Sequence, residues 1–244
     1  MKKILALLFA ISPIFGYATI IDLNITGTIT RLTYSDCQTY GAGGSCTSWT
    51  FTDIPYSTFV SGKNIAAGNV FTLSLQYDTA SPLNSITPDG FQAIYFSSVG
   101  NQYFSAGEIS LPGSGMPNVN KGSISIVDGR SGVDYLGINS VFGGARVSAS
   151  MNIGLQDRTG AVFTNFSIPA SFRLAAFTET GMSIGFIRDS DKDILNVDGT
   201  FATLTTTAVP EPSSMLLILF GASALFVFLR HRPYSDTASP NTAA

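Results

Sequence analysis

An all-β domain, an antiparallel β-sandwich or jelly roll bracketed by an N-terminal signal peptide and one C-terminal transmembrane helix, is the architecture that this chain of 244 residues predicts. Three observations lead there. Apolar residues between Thr19 and Val209 recur with a period of two, each end of the chain carries an apolar run with basic residues beside it, and charged residues make up only 12% of the sequence. Soluble domains average about 25% charged residues, so the exposed faces of this one must be built largely from Ser, Thr, Asn, Gln and Gly.

Lys2 and Lys3 precede an apolar stretch from Ile4 to Phe15, and Gly16 and Ala18 place small residues at the usual positions before a cleavage site. This is the three-part form of a secretory signal peptide over residues 1–18, cut between Ala18 and Thr19. Pro13 would break a helix here, and the run is shorter than the roughly 20 residues that a permanent span needs.

Residues 19–204 form the ectodomain, long enough to bury one core. Phe71, Leu73, Leu75 and Tyr77 alternate with Thr72, Ser74, Gln76 and Asp78, and Val147, Ala149, Met151, Ile153 and Leu155 alternate with polar residues or Gly154. Both are half-buried strands. Ile21, Leu23, Ile25 and Ile29 begin another that changes phase toward Leu32 and Tyr34, which predicts a bulge or bend near Gly27. Further strands are expected over Phe91–Val99, Ser123–Val127, Asp134–Phe142, Ala170–Phe177, Met182–Ile187 and Asn196–Thr206. Turn residues separate them at Pro88-Asp89-Gly90, Asp128-Gly129 and Asp157–Gly160. Nine or so strands with one apolar face each, and no helical period between the chain's ends, give the sandwich. Residues 205–209 are expected to link it to the C-terminal segment.

Cys37 and Cys46 bracket a loop containing Gly41, Gly43 and Gly44, and no third thiol competes for either. An exported chain meets an oxidising compartment, so the two are expected to pair. Closing a loop of this size is worth roughly 2.5 to 3 kcal/mol in the chain-entropy account. Tyr34, Tyr40, Trp49, Phe51 and Tyr56 cluster around it, and a stapled loop carrying Tyr40 and the single Trp49 is a candidate platform for stacking on sugar rings.

The chemistry of the ectodomain is sparse. Its residues include no histidine, the one imidazole being His231 near the C-terminus, which excludes Ser-His-Asp and Cys-His hydrolysis of the usual kind. Glu108, Asp134 and Glu179 are available as carboxylates for glycoside hydrolysis, but nothing in their spacing pairs them, and turns or surface solvation suit them better. Asp189, Asp191 and Asp193 alternate like the opening of a calcium loop, yet Ile194 stands where the sharp turn wants Gly and Thr200 where a bidentate Glu belongs; they remain only a weak Ca²⁺ candidate. No cofactor is expected. Carboxylates outnumber basic groups between Asp22 and Asp198, so nucleic acid, which requires a basic footprint, is not an expected partner.

The C-terminal segment is the most specific part of the chain. Pro210 and Pro212 lack amide protons and hold Glu211 extended. Ten of the fifteen residues from Met215 to Leu229 are Leu, Ile, Phe or Val, and Arg230, His231 and Arg232 come directly after them. Such a run favours insertion as a helix over 213–229, and the basic cluster orients it N-out, with 233–244 as a cytoplasmic tail. Val209-Pro210-Glu211-Pro212, an apolar run and a terminal basic cluster, in that order, resemble the PEP-CTERM sorting signal of Gram-negative bacterial surface proteins over about the last 35 residues. The resemblance implies that Val209, Pro210, Glu211 and Pro212 are a recognition element within a signal spanning 210–232, that Met215–Leu229 is a transient membrane anchor, and that Arg230 and Arg232 are stop-transfer charges. It also implies a membrane-embedded exosortase as processing partner, cutting near Pro-Glu-Pro. Family members end soon after the basic cluster, whereas this chain continues from Pro233 to Ala244.

The expected life history is export, inner-membrane anchoring with N-out topology, then release to the cell surface or extracellular matrix. The expected function is that of a non-enzymatic surface or matrix protein, which the resemblance associates with exopolysaccharide and biofilm. The alternative is a lectin-like or carbohydrate-active β-sandwich.

Overall fold

A computed structural model describes residues 20–112, 122–142, 147–188 and 190–209. The signal peptide with its cut between Ala18 and Thr19, the segment from Pro210 to Arg232 and the tail 233–244 lie outside the described residues. The strands are β1 (Ile20–Tyr40), β2 (Cys46–Ile54), β3 (Tyr56–Ser57), β4 (Ile65–Ala66), β5 (Val70–Asp78), β6 (Ser85–Ile86), β7 (Gln92–Ala106), β8 (Ile109–Pro112), β9 (Gly122–Arg130), β10 (Val133–Phe142), β11 (Val147–Asp157), β12 (Glu179–Arg188) and β13 (Ile194–Ala208). Apart from the β3–β4 pair they belong to one antiparallel sheet, ordered β13-β12-β11-β10-β9-β7-β5-β1-β2, with β6 and β8 along β7 and β13 also pairing β1.

Two long strands explain how one sheet serves as both layers of a sandwich. The first nine residues of β1 lie between β5 and the end of β13, while Leu32–Ser35 lie between β2 and the start of β13. Register shifts at Thr26/Gly27 and Ile29/Arg31 separate the halves, because an extra residue bends a strand and sharpens its twist. β7 repeats the device: Gln92–Tyr95 pair with β9 and Phe104–Ala106 with β5, with a shift between Tyr95 and Val99.

The inner face is the apolar set of each alternation. Ile21, Leu23 and Ile25 of β1, Phe71, Leu73 and Leu75 of β5, Met151, Ile153 and Leu155 of β11, and Ile184 and Phe186 of β12 are all buried in one cluster. Phe71 stands near its middle, with ring centroids 6.3 Å from Phe104 and 6.2 Å from Phe201. Burying each such side chain is worth about 1.5 to 3 kcal/mol, which is how a chain poor in charge and helix is held together.

Between β11 and β12 a strap over 158–178 contains no strand. It buries Phe163, Ile168 and Phe177 and packs Phe166, Phe172 and Leu174 against the same core. Tyr77 donates its hydroxyl to the Pro169 carbonyl at 2.9 Å and Tyr95 to that of Phe166 at 2.5 Å. Two of the strap's carbonyls therefore find partners in side chains, and those of Arg173 and Leu174 in backbone amides of the 3₁₀ turn.

Several expectations are corrected. Ala170–Phe177 is not a strand; it contains a short 3₁₀ turn at Leu174–Ala176, and its apolar spacing serves the strap. Residues 205–208, expected as linker, continue β13 and pair with Ile21–Asn24. The transmembrane helix, and the inner-membrane anchoring inferred from it, do not stand: among the described residues no helix is long and apolar enough to cross a membrane. The three-residue turn spans about 6 Å against a hydrocarbon core of about 30 Å. The segment Ser213–Leu229, with Arg230 and Arg232 beyond it, is outside the described residues.

Candidate functional site

The disulfide forms as expected: Cys37 and Cys46 are bonded with their Cα atoms 5.8 Å apart, across the hairpin that joins β1 to β2. Gly43 and Gly44 turn the chain with φ of 106° and 78°, a region open to glycine. The hairpin is joined to the β12–β13 turn by hydrogen bonds to Asp191 and Asp193, whose carboxylates Arg188 gathers. Arg188 donates from Nε to Asp191 Oδ1 at 2.9 Å and from Nη2 to Asp193 Oδ2 at 2.9 Å, and its guanidinium sits 4.7 Å from the centre of the Phe59 ring. Asp193 also accepts from the Tyr34 hydroxyl and, at 3.1 Å, from the Cys37 amide. Tyr40 donates to the Asp191 carbonyl at 2.5 Å.

These contacts decide what the aspartates do. Asp189 lies outside the described residues, and Asp191 and Asp193 share Arg188 as their counter-ion instead of leaving an open shell of oxygens. Burial works against ionising Asp191, but the Arg188 bond and the Asp193 amide outweigh it and hold its carboxyl below the usual range. Among the described residues, no group of three His, Cys, Asp or Glu side chains is placed to hold a metal ion.

The Tyr34 phenol is shifted by the same cluster. Burial first, then the bond to Asp193 and that group's charge, push its phenol from 10.0 up to about 12, with Arg188 opposing. The folded state therefore favours the neutral phenol. Its contribution to stability is complete below pH 10 and is lost as pH rises through about 12. In an ultraviolet titration, Tyr34→Phe is expected to remove a phenol that ionises near 12; loss of one that ionises near 10 would contradict this geometry.

The carboxylates considered for hydrolysis are separate and occupied. Asp134, fully buried, accepts the amides of Gly129 at 2.9 Å, Val162 at 2.8 Å and Phe163 at 2.7 Å. Of the turn or surface role expected for it, the surface part is thus corrected, while the bond to Gly129 lies at the β9–β10 turn. Asp157, directly opposite on β11, accepts from the Thr159 hydroxyl and from the Thr159 and Ala161 amides, and these bonds, the hydroxyl foremost, hold its carboxyl below the usual range. Glu108 accepts the Asn64 amide and Glu179 pairs with Arg158. No triad or paired acid and base is assembled among the described residues. Tyr40 and Trp49 are both near the stapled hairpin, but the Tyr40 hydroxyl is committed to Asp191, and Trp49 lies on β2 opposite Cys37.

The remaining candidate begins where the sheet ends. Ala208 pairs with Ile21, and the Val209 amide donates to the Ile20 carbonyl at 2.9 Å. Pro210, the next residue in the sequence, has no amide proton to offer a further ladder position. Residues 208–232 match the family model of the PEP-CTERM protein-sorting motif. They are a PEP-CTERM sorting motif.

The PEP-CTERM motif takes in Val209, Pro210, Glu211 and Pro212 as well as Arg230 and Arg232. It overlaps β13 at Ala208, leaving no spacer between body and motif. No curated protein and no solved structure matches the chain.

Proposed function

We propose that this chain is an exported, non-enzymatic sheet protein whose PEP-CTERM motif presents it to an exosortase, with the sandwich as the cargo delivered to the cell exterior. The observation that carries this reading is the motif at 208–232, adjoining the last ladder bond of β13. Prolines at 210 and 212 disfavour a helix at this element, and proteases take substrates as strand-like chains, while the strand before it is already paired. A disulfide and a charge-poor, Ser- and Thr-rich composition suit an oxidising exterior. A place beside exopolysaccharide in a surface matrix follows from the family resemblance and is part of the same proposal.

The lectin-like alternative gains nothing from the geometry, since Tyr40 is tied to the β12–β13 turn. The test is the triple variant Pro210→Ala/Glu211→Ala/Pro212→Ala in an exosortase-bearing host. Unprocessed precursor is expected to accumulate, as it should for the unaltered chain in a host lacking the exosortase; unchanged processing of the variant would overturn the reading.

A further inference from the structure

Sheet closure covers nearly every ladder edge in this fold. Among the described residues, two long stretches stay open: the outer edge of β2, which pairs with β1 alone, and that of β13 beyond Gly199, where pairing with β12 stops. The second is quiet, with Leu204 buried, Phe201 packed on the core, and otherwise only Thr and Ala. β2 is different. Phe51 is 67% exposed and Trp49 half-buried, and Cys46–Thr52 contains no charge, Pro or Gly. Charges, Pro and bulges are the devices by which natural edge strands avoid pairing, and in β2 they are confined to its ends, at Asp53 and at the register shift beside Thr47.

The strand is also held ready. The disulfide fixes its first residue, and near its other end Asp53 accepts the Thr33 hydroxyl at 2.7 Å. A preordered strand loses little freedom when it pairs.

We propose that β2 is a self-pairing edge, through which two copies of this chain join strand to strand, antiparallel, about a twofold axis at Thr50. This register sets Trp49 of one copy opposite Phe51 of the other, twice, with Ser48 facing Thr52, and ends at the register shift beside Thr47. Cross-strand aromatic pairs favour association, and no like charges meet. Centring the axis on Trp49 or Phe51 keeps one aromatic pair instead of two. The contact uses the same patch on both copies, so it closes as a dimer and does not propagate. A nine-residue edge is about 30 Å long and one strand wide, a smaller contact than a standard interface, so the dimer is expected to dissociate on dilution.

Sedimentation velocity on the purified exported protein is expected to show a monomer–dimer equilibrium over a dilution series. Trp49→Lys/Phe51→Lys places like charges across the axis and should weaken the dimer about tenfold or more, whereas Trp49→Lys/Phe51→Glu places opposite charges there and should restore it. Far-ultraviolet circular dichroism checks that both variants fold. Independently, Thr50→Cys should cross-link to its own copy under mild oxidation, because facing strand residues lie within disulfide reach. A monomer at every concentration, a dimer equally stable in both double variants, or no cross-link at position 50 would overturn the proposal.

Discussion

Asp134→Ala is expected to destabilise the domain by about 3 kcal/mol, since it strands three amide donors, one buried and two part-buried, at about 1 to 3 kcal/mol each with partial rescue by water. The carboxylate is fully buried and holds two parts of the fold together: the β9–β10 turn through Gly129, and the strap through Val162 and Phe163. Removing it loosens the point at which the strap turns in toward the core, where Phe163 is buried. Urea unfolding should show a lower midpoint with an unchanged slope, and hydrogen exchange should accelerate at 158–178 before it does in β1 or β5. Asp134→Asn, which keeps one carbonyl acceptor, should lose less. A shift below about 1 kcal/mol for Asp134→Ala would mean that the three amides find other partners.

Gly27→Ala is expected to be comparably damaging, about 3 kcal/mol or more, for a steric reason. A Cβ on Gly27 would lie 2.1 Å from the Thr200 carbonyl oxygen and 2.4 Å from Phe71 Cζ. The first is backbone of the neighbouring strand and cannot swing away. The second belongs to a ring packed against Phe104 and Phe201. Gly199 faces the same ring, with a Cβ there 2.8 Å from Phe71 Cε1, so two glycines make room for one phenylalanine at the bend of β1. Phe71→Leu should therefore recover part of the stability lost in Gly27→Ala, though the Thr200 contact would remain. Thermal unfolding of the two single variants and the double checks this coupling; strict additivity would show that Gly27 and Phe71 do not share the space.

These two sites also show where the sequence speaks and where it is silent. The bend of β1 is legible because its period-two run from Ile21 to Ile29 resumes out of phase at Leu32; the extra residue is Thr30, three places beyond the expected Gly27. β5, β11 and β12 are legible because each buries one face against the core. β2 escapes the same search because it hangs beyond the core: its burial runs from half-buried to exposed with no inner face, so Thr, Ser and aromatic residues alternate without an apolar period. The strap misleads in the opposite direction, since Phe172 and Leu174 are spaced like a strand but cap the sandwich. Asp134 has no local signature of burial, because its three donors come from residues 129, 162 and 163. The alternating aspartates resemble a cation loop until Arg188 is included; a basic residue just before the triplet is the clue to an ion-paired turn. The PEP-CTERM motif is the most legible feature, because its identity resides in the order of local sequence elements and needs no tertiary contact.

The most direct test of the central claim, that the sandwich is cargo delivered outward by the motif at 208–232, is intact mass spectrometry of the protein recovered from the exterior of exosortase-bearing cells. The mature chain is expected to begin at Thr19 and to end near Pro210. A chain still ending at Ala244 would contradict it.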